Sequence, residues 1–359
     1  MRAAILRAFG QPLTIEDVEI DEPRRNEVLI RTIASGICHT DLSYWSGTQP
    51  HPLPMILGHE ACGIVEAVGE GVTNVAVGDP VVTCMTGFCG YCHHCVTGNL
   101  VLCESPERGR APDERPRLHF EGQPIHPYGR LGSFAEKMLI FKNNCVKIRS
   151  DMPFREASVL GCGVMTGVGA VLNTAKVRPG ATVAVIGCGG VGMSTINGAA
   201  IAGAGRIIAV DRQPEKLQLA RKFGATDVVD ARTGDAAPHI IEMTGGGVDY
   251  AFEAVGSAET AREAFAMIRR GGTMIMMGMM PAGAMVEFPG KEFIFGKKVL
   301  GSMLGDNQFP ADIPRLIDFF LHGKLKLDIL VSRSVSLDQV NSALQDVGKG
   351  SVSRSVIVF

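Results

Sequence analysis

The sequence predicts an α/β protein, with an irregular β-rich domain joined to a doubly wound parallel sheet. Three observations carry that prediction. Through residue 160, short β-like runs are broken by Gly and Pro, with no regular helices between them. From about Gly163 the runs alternate with helix-like stretches, the pattern of βαβ units on a parallel sheet. Between Val183 and Gly192 an apolar strand runs straight into a glycine-rich turn. At 359 residues the chain is long enough for two domains of roughly 100–200 residues each.

In chain order, the first strands are expected at Glu27–Ala34, Gly63–Val68, Pro80–Thr83 and Lys137–Ile140. Glu104 to Arg130 is a polar, Pro-rich excursion that interrupts them. The later strands are expected at Thr182–Ile186, Arg206–Val210, Asp227–Val229, Tyr250–Glu253 and Thr273–Met277. Pro214–Phe223 and Ala258–Ile268 read as helices between them. After Gly305 come a helix at Ile313–His322, a further stretch at Leu337–Val347 and a last strand at Ser355–Phe359. That tail is too short for a domain and is expected to pack back onto the first one. No internal repeat or low-complexity tract occurs.

Composition narrows the function. Hydrophobic residues make up 46% and charged residues 20%, which is globular rather than disordered. Thirty-five basic against 37 acidic residues leave a net charge of −2, and no long basic run stands out. Neither a nucleic-acid nor an anionic-membrane partner is expected. The opening MRAAILRAFG lacks the apolar core of a signal peptide, so a cytoplasmic location is expected. Ala181 to Gly205 runs 25 residues without a charge, but seven are Gly and Thr182, Ser194, Thr195 and Asn197 add polarity. A buried strand, turn and helix fits better than a membrane span.

Four of the ten cysteines fall at Cys89-x2-Cys92-x2-Cys95-x7-Cys103. In a reducing compartment four thiolates at this spacing suit a tetrahedral, closed, structural Zn²⁺ site better than disulfides. The site predicts a metal-folded lobe and no chemistry at that metal.

The run Gly187-Cys188-Gly189-Gly190-Val191-Gly192 follows a strand and should open a helix, the context that gives G-x-G-x-x-G its meaning. Gly187 would make the tight turn, Gly189 would admit a pyrophosphate to the backbone, and Gly192 would allow close helix–strand packing. Asp211 stands nineteen residues past Gly192, at the end of the next strand. A carboxylate there accepts from the adenosine ribose and repels a 2′-phosphate, which favours NAD over NADP. Arg212 beside it is the feature that could instead accommodate that phosphate.

Cys38-His39-Thr40-Asp41, Gly58-His59-Glu60 and Leu160-Gly-Cys162-Gly complete the pattern. With the signature G-H-E-x2-G-x5-G-x2-V, present as Gly58-His59-Glu60, Gly63, Gly69 and Val72, the whole chain resembles the zinc-dependent alcohol dehydrogenases of the medium-chain dehydrogenase/reductase family. The resemblance implies a GroES-like catalytic domain, residues 1–164 with 304–359, and an inserted Rossmann coenzyme domain, residues 165–303. It implies two zinc ions per subunit and NAD. Cys38, His59 and Cys162 would hold the catalytic zinc with an open fourth position, a ligand set for which alcohol dehydrogenase is itself the standard example. Glu60 would stand behind it as an occasional partner, and Asp41 would fix the imidazole tautomer. Thr40 would take the proton of the alcohol. His39 and Arg354 match positions that contact the coenzyme pyrophosphate, and Lys216 one that contacts the adenosine ribose. Thr166 and Val191 would pack against the nicotinamide, and Gly190 would bind the coenzyme with the rest of the glycine turn. Both zinc and coenzyme would then work at a cleft between the domains.

One position departs from the liver-type enzymes. Where those carry a His five residues beyond the first ligand Cys, this chain has Ser43, whose hydroxyl can pass a proton but cannot act as a base near neutral pH. Thr40, Trp45 and Met85 resemble positions lining the substrate channel, and an apolar lining favours primary aliphatic or aromatic alcohols. The Gly161–Ala170 and Val185–Gly192 stretches are also similar to bacterial thiol-adduct formaldehyde dehydrogenases, including the mycothiol-dependent kind. Gly47–Leu53 lacks the acidic residue of the glutathione-dependent class. A catalytically silent NAD(H)-binding protein, the remaining alternative, would be marked by loss of a zinc ligand, and all three are present. The long segment between Cys103 and Phe134 resembles dimeric enzymes more than the shorter-looped tetrameric ones, so a homodimer is expected.

Overall fold

Thr182–Ile186 and Arg206–Asp211 are apolar throughout their interiors, and only a sheet covered on both faces can bury such strands. In the computed structural model, which describes residues 1–110, 114–232, 234–350 and 354–359, they lie side by side in a parallel sheet of six. Its spatial order is Asp227–Asp230, Arg206–Asp211, Thr182–Ile186, Val248–Glu253, Ile268–Met276 and Lys298–Gly301. The chain builds outward from Thr182–Ile186, then returns to its other side with Val248–Glu253. That reversal is the switch point, with Ile186 paired to Glu253 across it.

The helices between these strands are bounded by local chemistry. Pro214–Phe223 starts with Pro in its first turn, ends at Gly224 in the left-handed region, and buries Leu217, Ala220 and Phe223. Ala258–Met267 is capped by the Ser257 side chain, which accepts from the Thr260 N–H. It stops one residue before the expected Ile268, which opens the following strand instead. That strand runs Ile268–Met276, longer than expected, because Ile268 pairs with Val248 ahead of a register shift.

The chain divides into two compact units. One comprises Met1–Cys162, Gln308–His322 and Leu327–Phe359; the other comprises Gly163–Asn307 and Gly323–Lys326. In the first, Glu27–Ile37 is the central strand, flanked by Glu60–Val68, Lys137–Phe141 and Ser355–Val358, all antiparallel to it. It extends three residues past the expected Ala34 because Ser355–Val358 pairs along Ala34–Ile37. A second small sheet carries Arg2–Leu6 against Thr14–Asp17 and Met55–Ile56. Ile5, Leu6, Ile37, Ile56 and Phe134 form the centre of its core.

Phe309–Leu321 is helical from Phe309, with Pro310 in the first turn where a missing N–H costs nothing. Leu337–Gln339 is a short 3₁₀ turn leading into the helix Val340–Lys349. Residues 111–113 of the polar excursion, and residues 351–353 ahead of Arg354, lie outside the described residues. Among the described residues no single helix is long and apolar enough to cross a membrane.

Candidate zinc and coenzyme sites

The helix His39–Trp45 begins at Cys38, and Asp41 in its first turn reaches back to accept from the Cys38 N–H at 2.9 Å. The same carboxylate accepts from the Gly58 N–H at 3.0 Å and faces His59 Nδ1 at 3.1 Å. Asp41 and His59 are both fully buried. With Nδ1–H directed at Asp41, Nε2 is left as the lone-pair nitrogen, and it has no hydrogen-bond partner among the described residues. Ligand atoms of Cys38, His59, Glu60 and Cys162 all lie within 4.8 Å of one another.

The electrostatics suit a cation. Hydrogen bonding from Cys162 holds the Cys38 thiol well below its ordinary range despite burial, while Cys162 is raised by the same contact. Two thiols competing for one proton beside an orphaned imidazole nitrogen form the donor set of a thiolate–imidazole zinc site. Burial pushes the Glu60 carboxyl up to about 7 against the pull of Arg354. Arg354 is 5% exposed, stands 3.3 Å from Glu60 Oε1 and donates to the Ile37 carbonyl.

Cys89, Cys92, Cys95 and Cys103 form the second cluster, also within 4.8 Å. The Cys89 and Cys92 N–H groups donate to the sulfurs of Cys103 and Cys89, each at 3.3 Å. Against burial, N–H groups of Tyr91 and Cys92 lower the Cys89 thiol to about 6. N–H groups aimed at sulfur stabilise thiolates, so the set fits a closed zinc site.

In the second unit Gly187 takes φ +91°, where a Cβ would lie 2.6 Å from Val255. A Cβ on Gly192 would fall 1.7 Å from the Gly187 carbonyl oxygen, which is why the helix can start so close to the strand. Nothing lies within 4 Å of the Cβ position at Gly189. The helix Gly190–Ile201 has no side-chain cap at its N-terminus, leaving N–H groups for an anion. Asp211 Oδ2 accepts from the Cys188 N–H at 2.7 Å and Oδ1 from the Gln213 N–H at 2.9 Å. This open, uncapped turn with a carboxylate beside it fits a dinucleotide.

The other expected residues are placed as follows. His39 is exposed and Thr40 and Ser43 are half-buried on one helix, with Ser43 Oγ 3.4 Å from the His39 carbonyl. Lys216 is half-buried on Pro214–Phe223, and Thr166 is buried on Gly163–Gly169 in the second unit. Gly190 and Val191 begin the helix after the turn. Sequence reasoning passed over Tyr128, whose buried ring stands edge-on to His59 at 5.1 Å and against Tyr44 at 4.2 Å. It comes from the polar excursion, where no periodicity marks a buried aromatic.

Comparison with known proteins agrees with this geometry. Residues 24–150 match the alcohol dehydrogenase GroES-like domain, and residues 190–322 match the zinc-binding dehydrogenase family. An S-(hydroxymethyl)glutathione dehydrogenase of Synechocystis is 37% identical over the whole chain and 99% of its own length. A class-3 alcohol dehydrogenase of Drosophila melanogaster is 37% identical over the whole chain and 97% of its own. Among solved structures, benzyl alcohol dehydrogenase from Acinetobacter calcoaceticus superposes with a TM-score of 0.94 at 34% identity, covering 100% of this chain and 99% of that one. An alcohol dehydrogenase zinc-binding domain protein from Burkholderia ambifaria gives 0.95 at 38% identity, with 100% and 98% covered. The chain belongs to the zinc-binding alcohol dehydrogenase family of the medium-chain dehydrogenases. It is an NAD-dependent zinc oxidoreductase with two candidate zinc sites.

Proposed function

We propose that the protein oxidises primary alcohols, aliphatic or aromatic, to aldehydes with NAD, and runs the reverse reduction. The observation that carries this reading is the buried His59, whose Nδ1 is held by Asp41 and whose ring clusters with the Cys38 and Cys162 thiols, Nε2 having no hydrogen-bond partner among the described residues. When bound, zinc supplies Lewis acidity toward the alcohol or carbonyl oxygen and NAD supplies the hydride acceptor. Cys38, His59 and Cys162 hold the ion, and Cys89, Cys92, Cys95 and Cys103 hold a structural one.

Thr40 Oγ1 takes the hydroxyl proton and passes it toward Ser43, which relays it onward to solvent. Asp211 and Lys216 take the adenosine ribose. His39 and Arg354 take the pyrophosphate, with Glu60 as counter-ion to Arg354. The glycine turn cradles the phosphates, and Thr166 and Val191 pack on the nicotinamide. Residues 1–164 with 304–359 form the catalytic domain, and 165–303 the coenzyme domain.

A second reading has specific support. Relatives named S-(hydroxymethyl)glutathione dehydrogenase match along the whole chain, which favours a hydroxymethyl thiol formed from formaldehyde. Gly47–Leu53 offers no carboxylate to a glutathione amine, so a different thiol such as mycothiol fits better. The deciding experiment follows NAD reduction by zinc-loaded protein on benzyl alcohol, hexanol, ethanol, and formaldehyde with and without low-molecular-weight thiols. Turnover of free alcohols supports the first reading; activity confined to formaldehyde plus a thiol replaces it with the second. A cytoplasmic homodimer completes the proposal, supported by two clusters that need reduced thiols and by several exposed apolar side chains on the second unit.

A further inference from the structure

Glu253 ends the strand at the switch point and is fully buried. Its Oε1 accepts from the Val255 N–H at 2.8 Å, the Gly256 N–H at 2.7 Å and the Thr260 hydroxyl at 2.8 Å. Its Oε2 is buried and has no hydrogen-bond partner among the described residues. One oxygen thus gathers two donors from the turn and one from the first turn of the helix Ala258–Met267 that follows it. The turn is anchored on the glycine-rich side as well, since the Ala254 N–H donates to the Ile186 carbonyl at 2.9 Å. Val255 and Ala254 fill the space in which a side chain at Gly187 would sit.

A buried carboxylate with one idle oxygen is costly to keep for fold alone, because an uncharged acceptor would satisfy the same donors with less desolvation. We propose that Glu253 is a positioning residue for coenzyme binding: it locks the Ala254–Ser257 turn against Gly187 and so holds the phosphate-cradling loop in shape. The inference rests on NAD occupying the glycine turn. Glu253 acts through the two turns, as a positioning rather than a catalytic residue.

The test is fluorescence titration of the zinc-loaded protein with NADH, beside a thermal melt. Four variants are compared with wild type: Glu253→Ala, Glu253→Gln, Thr260→Val and Asp249→Asn. Asp249 serves as the control, because it sits at the other end of the same strand and braces the Thr182 N–H at 2.8 Å. Losing charge-assisted bonds should raise the NADH Kd about tenfold in Glu253→Ala, while Thr260→Val, which removes one donor, gives about threefold. Glu253→Gln keeps an acceptor in place and falls between Ala and wild type. Asp249→Asn lowers the melting temperature and leaves the Kd unchanged. An NADH Kd unaltered in folded Glu253→Ala overturns the proposal, as does an equal rise in Asp249→Asn, which would make both residues general braces. If Glu253→Ala does not fold, Thr260→Val decides, and an unchanged Kd there is fatal. Failure of the wild type to bind NADH shows up before any variant and sinks the coenzyme assignment instead.

Discussion

Asp41 accepts from His59 Nδ1, from the Gly58 N–H and, with its second oxygen, from the Cys38 N–H. Asn offers one acceptor oxygen where Asp offers two, and its NH₂ would face a donor. Asp41→Asn is therefore expected to weaken zinc at the Cys38, His59, Cys162 cluster by about 10–100-fold, the usual cost of losing such a partner. Competition with a calibrated chelator reads this directly, and the Cys89–Cys103 cluster, which Asp41 does not touch, should keep its zinc. Loss of both ions together would mean that the variant has unfolded. At this scale, legibility followed chemistry. Thiols and imidazoles at family spacing announced themselves, because few other roles place Cys and His in such patterns. Tyr128 and Glu253 did not, since a Tyr in a Pro-rich stretch and an acid at a strand end look like exposed residues until the fold buries them.

Glu27 shows the same limit for whole elements. It opens the strand Glu27–Ile37 as a charged residue would at a solvent boundary, yet it is 3% exposed. Arg110 and Arg117, from the excursion after the cysteine lobe, each reach it at 2.7 Å, and the Arg24 N–H donates at 2.9 Å. Arg110 also holds Asp21 at 2.6 Å, so a long irregular segment is fastened to the sheet by charge. Burial raises the Glu27 pKa, but the two guanidiniums outweigh it and the net shift is downward. A lowered folded pKa stabilises the protein fully above the ordinary glutamate value of about 4.3, and that contribution disappears as pH falls through the folded value. Glu27→Gln strands Arg117, itself 8% exposed, and should cost about 3–5 kcal/mol near neutral pH. Urea unfolding should show the gap between variant and wild type closing as pH drops below about 4. A gap independent of pH would mean that packing rather than charge accounts for the loss. The parallel strands were readable because burial on both faces writes a continuous apolar run. The three residues added to Glu27–Ile37 were not, because Ser355–Val358, their partner, lies at the far end of the chain.

For the molecule as a whole, the apolar residues left outside are as informative as those inside. Met285 is 82% and Ile294 84% exposed, with Phe293, Leu300 and Met303 also exposed nearby in sequence. Lys298–Gly301 is the last strand of the parallel sheet, so one of its edges has no strand partner among the described residues. Single exposed apolar residues are commonplace, but a run of them beside an open sheet edge is what a second copy of the chain would cover. A closed two-fold assembly uses the same face on both subunits, so a charge placed there is met by itself and acts twice. Ile294→Asp combined with Met285→Asp should therefore convert a dimer to a monomer by light scattering. The far-ultraviolet dichroism and zinc content should be retained, because neither side chain belongs to a core. A wild type that is monomeric at micromolar concentration removes the homodimer outright. A variant that stays dimeric would move the interface elsewhere, and a mass of four subunits would require a second face in addition to this one.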